Sequence, residues 1–292
     1  MLESLPSRLQ NGRPLVCHGA LGTVLQSDDE EFNRAPELLN LSRAESVLAL
    51  QREYVAAGAE LLGSFTFGAN AVKLARAGLA DRIRELNLAA VRLARQAADR
   101  TAYVAGTIGP TGELLAPYGE LSAGRATAAY AAQAAALAEG GVDLFWIKTM
   151  SDLAEVKAAV AGIRSVSDLP IFCSLSFGMG GRTMMGVGPS QAARDLAELA
   201  LAGIGANCGL GPGEMLPMLA EMLEACPEAV LVAQPNAGLP ELAGGEAVYD
   251  VGPEEFADFA RRCSALGVRA IGGCCGSTPA HIAAVAAALA SL

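Results

Sequence analysis

Three of the seven cysteines in this chain stand where packing alone explains them poorly. Cys208 lies in Asn207-Cys208-Gly209, and Cys274 and Cys275 are neighbours within Gly272-Gly273-Cys274-Cys275-Gly276. Small residues on both sides leave these thiols uncrowded, as metal ligands must be. Three thiolates with a fourth position open form a catalytic zinc arrangement, because a structural site fills all four positions. Zinc also removes the proton from a thiol that takes the open position, and the thiolate is the form that attacks carbon. The competing reading is three buried apolar cysteines with no metal. Cys17, Cys173, Cys226 and Cys263 fall in apolar or helical stretches and read as packing residues, Cys17 being the nearest of them to a reactive position.

Elements that could gather such residues recur along the whole chain. Short apolar strands are expected at Leu15–Cys17, Glu60–Phe65, Tyr103–Thr107, Leu144–Ile147, Ile171–Leu175, Gly205–Asn207, Val230–Gln234 and Ala270–Gly272. Helical patterns follow them at Ala44–Ala57, Ala80–Ala98, Ala123–Glu139, Ser151–Val166, Ser190–Ala202, Glu214–Ala225, Pro253–Leu266 and Pro279–Ala290. Strand-to-helix alternation implies parallel pairing with right-handed crossovers. Eight such units fit a closed (β/α)8 TIM barrel better than an open sheet, and no linker interrupts them, so residues 1–292 are expected to form one domain. Longer connections are expected at Gly19–Ser42, Gly109–Leu121 and Phe177–Pro189. Catalytic groups in such barrels gather at the C-terminal ends of the strands. His18, Thr66, Gly109-Pro110, Lys148-Thr149, Ser176, Cys208, Asn236 and Cys274-Cys275 all fall there.

Bulk properties narrow the function. A 52% hydrophobic content over 292 residues supplies one large core, and a formal charge of −10 argues against nucleic acid or an anionic membrane as partner. The segment Met1 to Arg13 is polar, unlike a signal peptide, and no uncharged apolar run of about 18 residues appears. Cysteines in a chain without an export signal suggest reduced thiols in the cytoplasm, available for metal rather than for disulfides.

Six segments carry a resemblance. His18-Gly-Ala-Leu-Gly-Thr23, Thr66-Phe-Gly-Ala-Asn70, Gly109-Pro-Thr-Gly-Glu113, Asn207-Cys-Gly-Leu-Gly-Pro212, Gln234-Pro-Asn-Ala-Gly238 and Gly272-Gly-Cys-Cys-Gly-Ser-Thr-Pro-Ala-His-Ile282 resemble the homocysteine S-methyltransferase family, in its order and over nearly the whole chain. The likeness is nearest to the homocysteine-binding module of cobalamin-dependent methionine synthase and more distant from betaine–homocysteine methyltransferase. It implies zinc on Cys208, Cys274 and Cys275, with Asn236 near the metal's open position. His18, Gly19, Thr66, Lys148 and Ser176 are the expected substrate contacts.

Two positions depart from the family. Its first motif begins with Asp where this chain has His18, and its fourth-strand motif reads Glu-Thr where this chain has Lys148-Thr149. In the family those acids hold the ammonium of homocysteine. Unit charges about 4 Å apart interact by roughly 4 kcal/mol at an effective dielectric near 20, so a reversed contact should disfavour homocysteine and favour a small anionic thiol. The competing arrangement turns Lys148 away to pair with Asp152 or Glu113. His18 could equally be a neutral hydrogen bonder or a zinc ligand. Arg182 in Gly178–Arg182 reads as a solvated loop residue, and His281 as structural.

The expected reaction is direct displacement, with a zinc-bound thiolate attacking an activated methyl group. No cobalamin or folate domain is recognisable in these residues, so the expected donor is a corrinoid carried by a separate protein docked on the barrel mouth. A small onium compound is the alternative donor. Its aromatic cage would have to come from Trp146, Tyr118, Phe67 and Phe177, a thin supply. Three rival functions remain open: a homocysteine methyltransferase making methionine, a zinc hydrolase, and a non-catalytic barrel that binds a thiol or a corrinoid protein. The hydrolase is disfavoured because hydrolytic zinc usually takes His and carboxylate ligands, and only two histidines are present.

Overall fold

Strands buried on both faces, covered by helices that bury one face each, form an eight-stranded parallel barrel in the computed structural model, which describes residues 2–10, 13–26, 30–243 and 246–292. The barrel strands are β1 (Leu15–Val16), β2 (Leu61–Gly63), β3 (Tyr103–Ile108), β4 (Leu144–Met150), β5 (Ile171–Leu175), β6 (Gly203–Asn207), β7 (Leu231–Gln234) and β8 (Ala270–Ile271). Each pairs in parallel with the next from β2 to β8, and β8 pairs with β1. Closure between β1 and β2 rests on one bridge, Cys17 to Leu61, flanked by Glu60 N–H to Val16 O at 2.7 Å and His18 N–H to Leu61 O at 2.9 Å. The TIM barrel expected from the sequence is thus the observed fold.

Side chains alternate across the wall. Leu15, Cys17, Leu61, Tyr103, Ala105, Leu144, Trp146, Phe172, Val232 and Ala270 fill the barrel interior. Their strand neighbours Val16, Leu62, Val104, Phe145, Ile147, Ile171 and Leu231 meet the surrounding helices. The same alternation turns Lys148, two residues beyond Trp146, inward at the top of β4.

Eight helices cover the barrel: α1 (Ala44–Ala56), α2 (Ile83–Ala98), α3 (Ala123–Gly140), α4 (Leu153–Arg164), α5 (Pro189–Ala197), α6 (Pro212–Ala225), α7 (Pro253–Leu266) and α8 (Pro279–Ala290). Each of the last four opens on proline, whose fixed φ suits the first helical position and whose missing N–H is not needed there. From α1, the Tyr54 hydroxyl reaches Ala20 O at 2.6 Å and Ser277 O at 3.1 Å, bracing the first and last strand-to-helix connections against each other.

The structure departs from the expected elements in several places. Strand two ends at Gly63 rather than Phe65, because the chain turns there with Thr66 N–H bonded to Ser64 O. Strand four runs on to Met150, so Lys148 and Thr149 lie within it, at an irregularity in its pairing with β5 between Ile147 and Met150. The helix expected over Ser190–Ala202 stops at Ala197, shortly before Ala200 adopts φ +50°. Several elements were not anticipated: short helices at Gly22–Leu25, Glu30–Arg34, Leu39–Ser42 and Ala71–Arg76, and two further elements at the barrel's ends. A short helix, Leu5–Gln10, plugs the floor of the barrel with Leu5 and Leu9, and Arg8 pairs with Glu60 at 2.9 Å. A hairpin, Glu241–Ala243 with Glu246–Val248, rises from the connection after β7. Within the first connection, 19–42, residues 27–29 lie outside the described set. No helix among the described residues is long and apolar enough to cross a membrane.

Candidate metal centre and acceptor cavity

Cys208 leaves β6 with φ +60°, and Gly209 follows at φ +75°. Two left-handed residues in succession turn the chain sharply out of the strand. A side chain at Gly209 would also fall 2.3 Å from the Phe177 carbonyl oxygen. Opposite, Cys274 and Cys275 follow β8 and are laced to the seventh connection. Cys274 N–H donates to Pro235 O at 2.7 Å, and Ala237 N–H to Cys275 O at 2.9 Å. The three sulfurs lie within 4.8 Å of one another, and Cys208 Sγ is 3.8 Å from Cys275 Sγ. Tetrahedral ligands at about 2.3 Å from zinc stand about 3.8 Å apart, so the donor set and its spacing both fit that metal. Hydrogen bonds from Cys208 and Cys275 hold the Cys274 thiol far below its usual range, and the Lys148 charge acts in the same direction. The bond to Cys274 pushes Cys208 up to about 12, and the bond to Cys208 pushes Cys275 up as well.

The sulfurs form one side of a cavity of about 450 Å³ at the barrel mouth. Lys148 forms part of the facing wall, 6% exposed, its Nζ 4.7 Å from the centre of the Trp146 ring. Burial lowers its pKa, while the charges of Cys274, Cys17, Cys208 and Cys275 act to keep it protonated. The alternative pairing with Asp152 or Glu113 is not what the structure contains. Asp152 caps α4 through Ala154 N–H at 2.8 Å, and Glu113 pairs with Arg76 at 3.0 Å.

His18 also lines the cavity. Its Nδ1 is 2.6 Å from the Gly19 carbonyl, which can only accept, so Nδ1 carries the hydrogen. Nε2 then keeps a bare lone pair, buried without a partner against Gly63, where any added side chain would come within 2.5 Å of it. Burial first, and the Lys148 charge second, lower the His18 pKa to about 3, so the ring is neutral. Gly19 completes this wall.

Of the other expected contacts, Thr66, Ser176 and Asn236 are not among the cavity walls. Thr66 is fully buried, and its hydroxyl bonds Thr107 O at 2.7 Å and Ser64 Oγ at 2.7 Å. Ser64 and Thr107 line the cavity in its place. Ser176 sits behind Cys208, against Gly209. Asn236 lies between the two backbone bonds that lace the cysteine pair, with its Oδ1 buried and unpartnered. Arg182 is exposed and bonds Gly186 O at 2.8 Å. His281 caps its own helix, 3.1 Å from Thr278 N, and reaches Val251 O at 2.9 Å.

Sequence reasoning missed several neighbours. Phe32 and Phe65 join Phe67 along the apolar side of the cavity, whereas Trp146 and Phe177 are buried at 1% and Tyr118 is 75% exposed. Glu37 is a carboxylate in the wall, bonded to Gly68 N–H and raised in pKa by burial. Tyr249, from the connection after β7, packs its ring beside Gly276, and its pKa is pushed up to about 12, chiefly by burial and then by the charge of Cys275.

Fold and site together define a (β/α)8 barrel with a three-thiol centre at its mouth. Residues 15–289 match the family model for homocysteine S-methyltransferase. Methionine synthase of Mycobacterium tuberculosis (strain ATCC 25618 / H37Rv) is 35% identical over 298 residues, covering 96% of this chain and 25% of that protein. Methionine synthase of Mycobacterium leprae (strain TN) is 34% identical over 308 residues, covering 99% and 25%. The chain belongs to the homocysteine S-methyltransferase family, and it spans about a quarter of the length of these relatives. Among solved structures, the metallated form of the homocysteine methyltransferase MmuM from Escherichia coli superposes with a TM-score of 0.80 at 23% identity, covering 96% of this chain and 98% of that one. That likeness speaks to the fold.

Proposed function

We propose that residues 1–292 work as one barrel that transfers a methyl group to a small thiol on zinc held by Cys208, Cys274 and Cys275, and that the acceptor carries an acidic group where homocysteine carries its ammonium. The observation that carries the reading is the convergence of three thiols, within 4.8 Å of one another, on a cavity whose facing wall is a buried lysine. Bound zinc supplies the Lewis acidity that strips the thiol proton at neutral pH.

The remaining work falls to the chain. Lys148 draws the acceptor's acidic group to the wall opposite the sulfurs and so fixes the direction of the thiol. Neutral His18 adds no second charge. Leu21, Phe65 and Phe67 keep water from the reacting sulfur. The acceptor sulfur then attacks the methyl carbon in line, forming the S–C bond as the bond to the donor's leaving group breaks. No side-chain base is required, since the proton has already gone. Alignment supplies most of the protein's share of the rate.

A corrinoid carried by a separate protein is the donor we favour. Leu114, Tyr118, Met179, Met184, Leu239 and Val248 are large apolar side chains exposed in the third, fifth and seventh strand-to-helix connections, around the mouth. Such a rim suits contact with a second protein. Phe32, Phe65 and Phe67 favour a second reading, in which a small cationic methyl donor rests on their ring faces. Homocysteine as acceptor is supported by Glu37, though burial draws that carboxyl toward its neutral form.

The test is turnover across a thiol panel with methylcobalamin, a methylated corrinoid protein, glycine betaine or S-methylmethionine as donor. A mercaptocarboxylate or mercaptosulfonate should outperform homocysteine, with the corrinoid donors fastest. Efficient homocysteine methylation would overturn the acceptor assignment, and faster turnover with an onium donor would overturn the donor. Absence of turnover with every pair, in protein that holds zinc, would favour a non-catalytic binding barrel.

A further inference from the structure

Asn207 closes β6 directly ahead of Cys208 and is fully buried. Its Oδ1 lies 2.8 Å from the Thr149 backbone nitrogen and 2.5 Å from Ser174 Oγ. Its Nδ2 lies 2.8 Å from Thr149 Oγ1 and 3.8 Å from Cys274 Sγ. Ser174 Oγ in turn faces Trp146 Nε1 at 3.2 Å.

Two members fix the direction of this network, because a backbone N–H and an indole N–H can only donate. Thr149 N–H demands the amide oxygen of Asn207 on its side, which turns the amide NH2 toward sulfur. Trp146 N–H takes a lone pair of Ser174, leaving the serine hydrogen for Asn207 Oδ1. Cys274 is therefore the acceptor of an N–H···S bond, the role suited to a thiolate rather than a thiol.

The same amide holds the top of β4. Thr149 has φ +61° at the irregularity between Ile147 and Met150, a conformation that non-glycine residues avoid. Bonds from Asn207 to both its backbone N–H and its hydroxyl keep it there. Lys148 is the residue immediately before it.

We propose that Asn207 is a positioning residue that couples the Cys274 thiolate to the strand-four bend carrying Lys148, so that metal ligand and acceptor-binding cation form one rigid unit. The inference rests on the metal reading above. Asn207 itself touches neither the metal nor the acceptor. It acts by drawing charge from the Cys274 sulfur and by fixing where Lys148 stands. Outer-shell partners of this kind typically change metal affinity by about 10- to 100-fold when lost.

Cobalt(II) in place of zinc gives the readout, since thiolate-to-cobalt charge-transfer absorption reports directly on the sulfur donors. The unmodified chain should show the intense near-ultraviolet bands of a thiolate-rich site. If it takes up no cobalt, the metal reading itself fails. Asn207→Asp keeps an acceptor oxygen for Thr149 and Ser174 but puts a negative oxygen where the N–H donor stood. It should shift the charge-transfer bands and weaken cobalt binding about tenfold or more. Asn207→Ala should do the same and, by freeing Thr149, also raise KM for the acceptor. Ser174→Ala leaves the N–H···S bond in place and should leave the bands unmoved. Cobalt bound by the unmodified chain, with bands and affinity unchanged in Asn207→Asp, would overturn the proposal. So would a Ser174→Ala shift as large as that of Asn207→Asp, because general packing would then explain both. Should Asn207→Ala fail to fold, the Asp and Ser174 variants still carry the test.

Discussion

The two sides of the barrel mouth are built in opposite ways. On β6 and β8 the reactive atoms are partly exposed thiols on glycine-framed turns, with Cys208 in a left-handed conformation that aims it across the opening. On β1 and β4 the groups facing them are buried: His18 is neutral with a bare nitrogen, and Lys148 places its Nζ over an indole face, with burial lowering its pKa and the sulfur charges raising it. The sulfur side carries residues that the family motifs share, and the facing side carries the two that depart from them. The two sides meet where β8 pairs with β1, and Asn207 links Cys274 to the bend beside Lys148, so the bond-making chemistry and the choice of acceptor rest on different side chains held in one frame. That separation makes the comparison open to attack from either side.

The largest effect should come from the sulfur side. Cys274→Ala with Cys275→Ala should empty the centre of zinc and bring turnover below about a thousandth of the unmodified rate, the loss expected when several kcal/mol of Lewis-acid stabilisation goes. Metal analysis of purified protein, with circular dichroism to confirm the fold, is the measurement. Stoichiometric zinc retained by the double variant would break the assignment of chemistry to this side.

A smaller effect should come from the facing side and should leave the metal alone. Lys148→Glu with His18→Asp restores the two acids of the family pattern. It should shift the ratio of kcat/KM for homocysteine over an anionic thiol by about 100-fold or more, since each reversed contact near 4 Å is worth a few kcal/mol at an effective dielectric near 20. Zinc content should stay near one per chain. An unchanged ratio would mean that the facing side does not read the acceptor's charge. Loss of zinc would mean that the acceptor wall also holds the metal site together.

Much of this was legible in the sequence, unevenly across the two sides. Cys208, Cys274 and Cys275 stood out because thiols between glycines at strand ends have no packing role to fill. Lys148 stood out because it follows an apolar strand at its mouth end and departs from the Glu of the resembling motif. The eight strand-helix units were readable because each strand is followed by an amphipathic stretch of different period. What could not be read depends on chain returning from far away. Phe32 and Glu37 reach the cavity from the first connection, and Tyr249 reaches Cys275 from the seventh. No local period encodes either approach. Thr66 was misplaced because β2 ends three residues before it, which turns its hydroxyl toward Thr107 O instead of the opening. The polarity of the Asn207 network follows from the bend at Thr149, which the apolar pattern of β4 does not announce. The floor helix Leu5–Gln10 offered only Leu5 and Leu9 in an otherwise polar segment, too little to mark an element.

The smallest predicted effect concerns what it takes to bury His18 neutral. The folded ring has its pKa lowered to about 3 from an ordinary value of 6.5, first by burial and then by the Lys148 charge. A histidine depressed in this way binds its proton in the unfolded chain long before it does so in the folded one. Between those two values the unfolded state holds more protons, so stability must fall as pH falls through that window and must be insensitive to His18 above it. At pH 5 the unfolded histidine is almost fully protonated while the folded one is not, a difference of about 2 kcal/mol relative to pH 8. His18→Gln keeps a polar side chain of comparable reach that cannot titrate. Urea unfolding of both proteins at pH 8 and pH 5 isolates this contribution, because every other titrating group, including Glu37 with its raised pKa, is common to the pair. The unmodified chain should lose about 2 kcal/mol more than the variant on going to pH 5. Equal losses would mean that His18 gains a proton in the folded state, and with it a second positive charge beside Lys148. The facing side would then be a dication at mildly acidic pH, and its preference for an anionic acceptor should strengthen over the same range instead of staying flat.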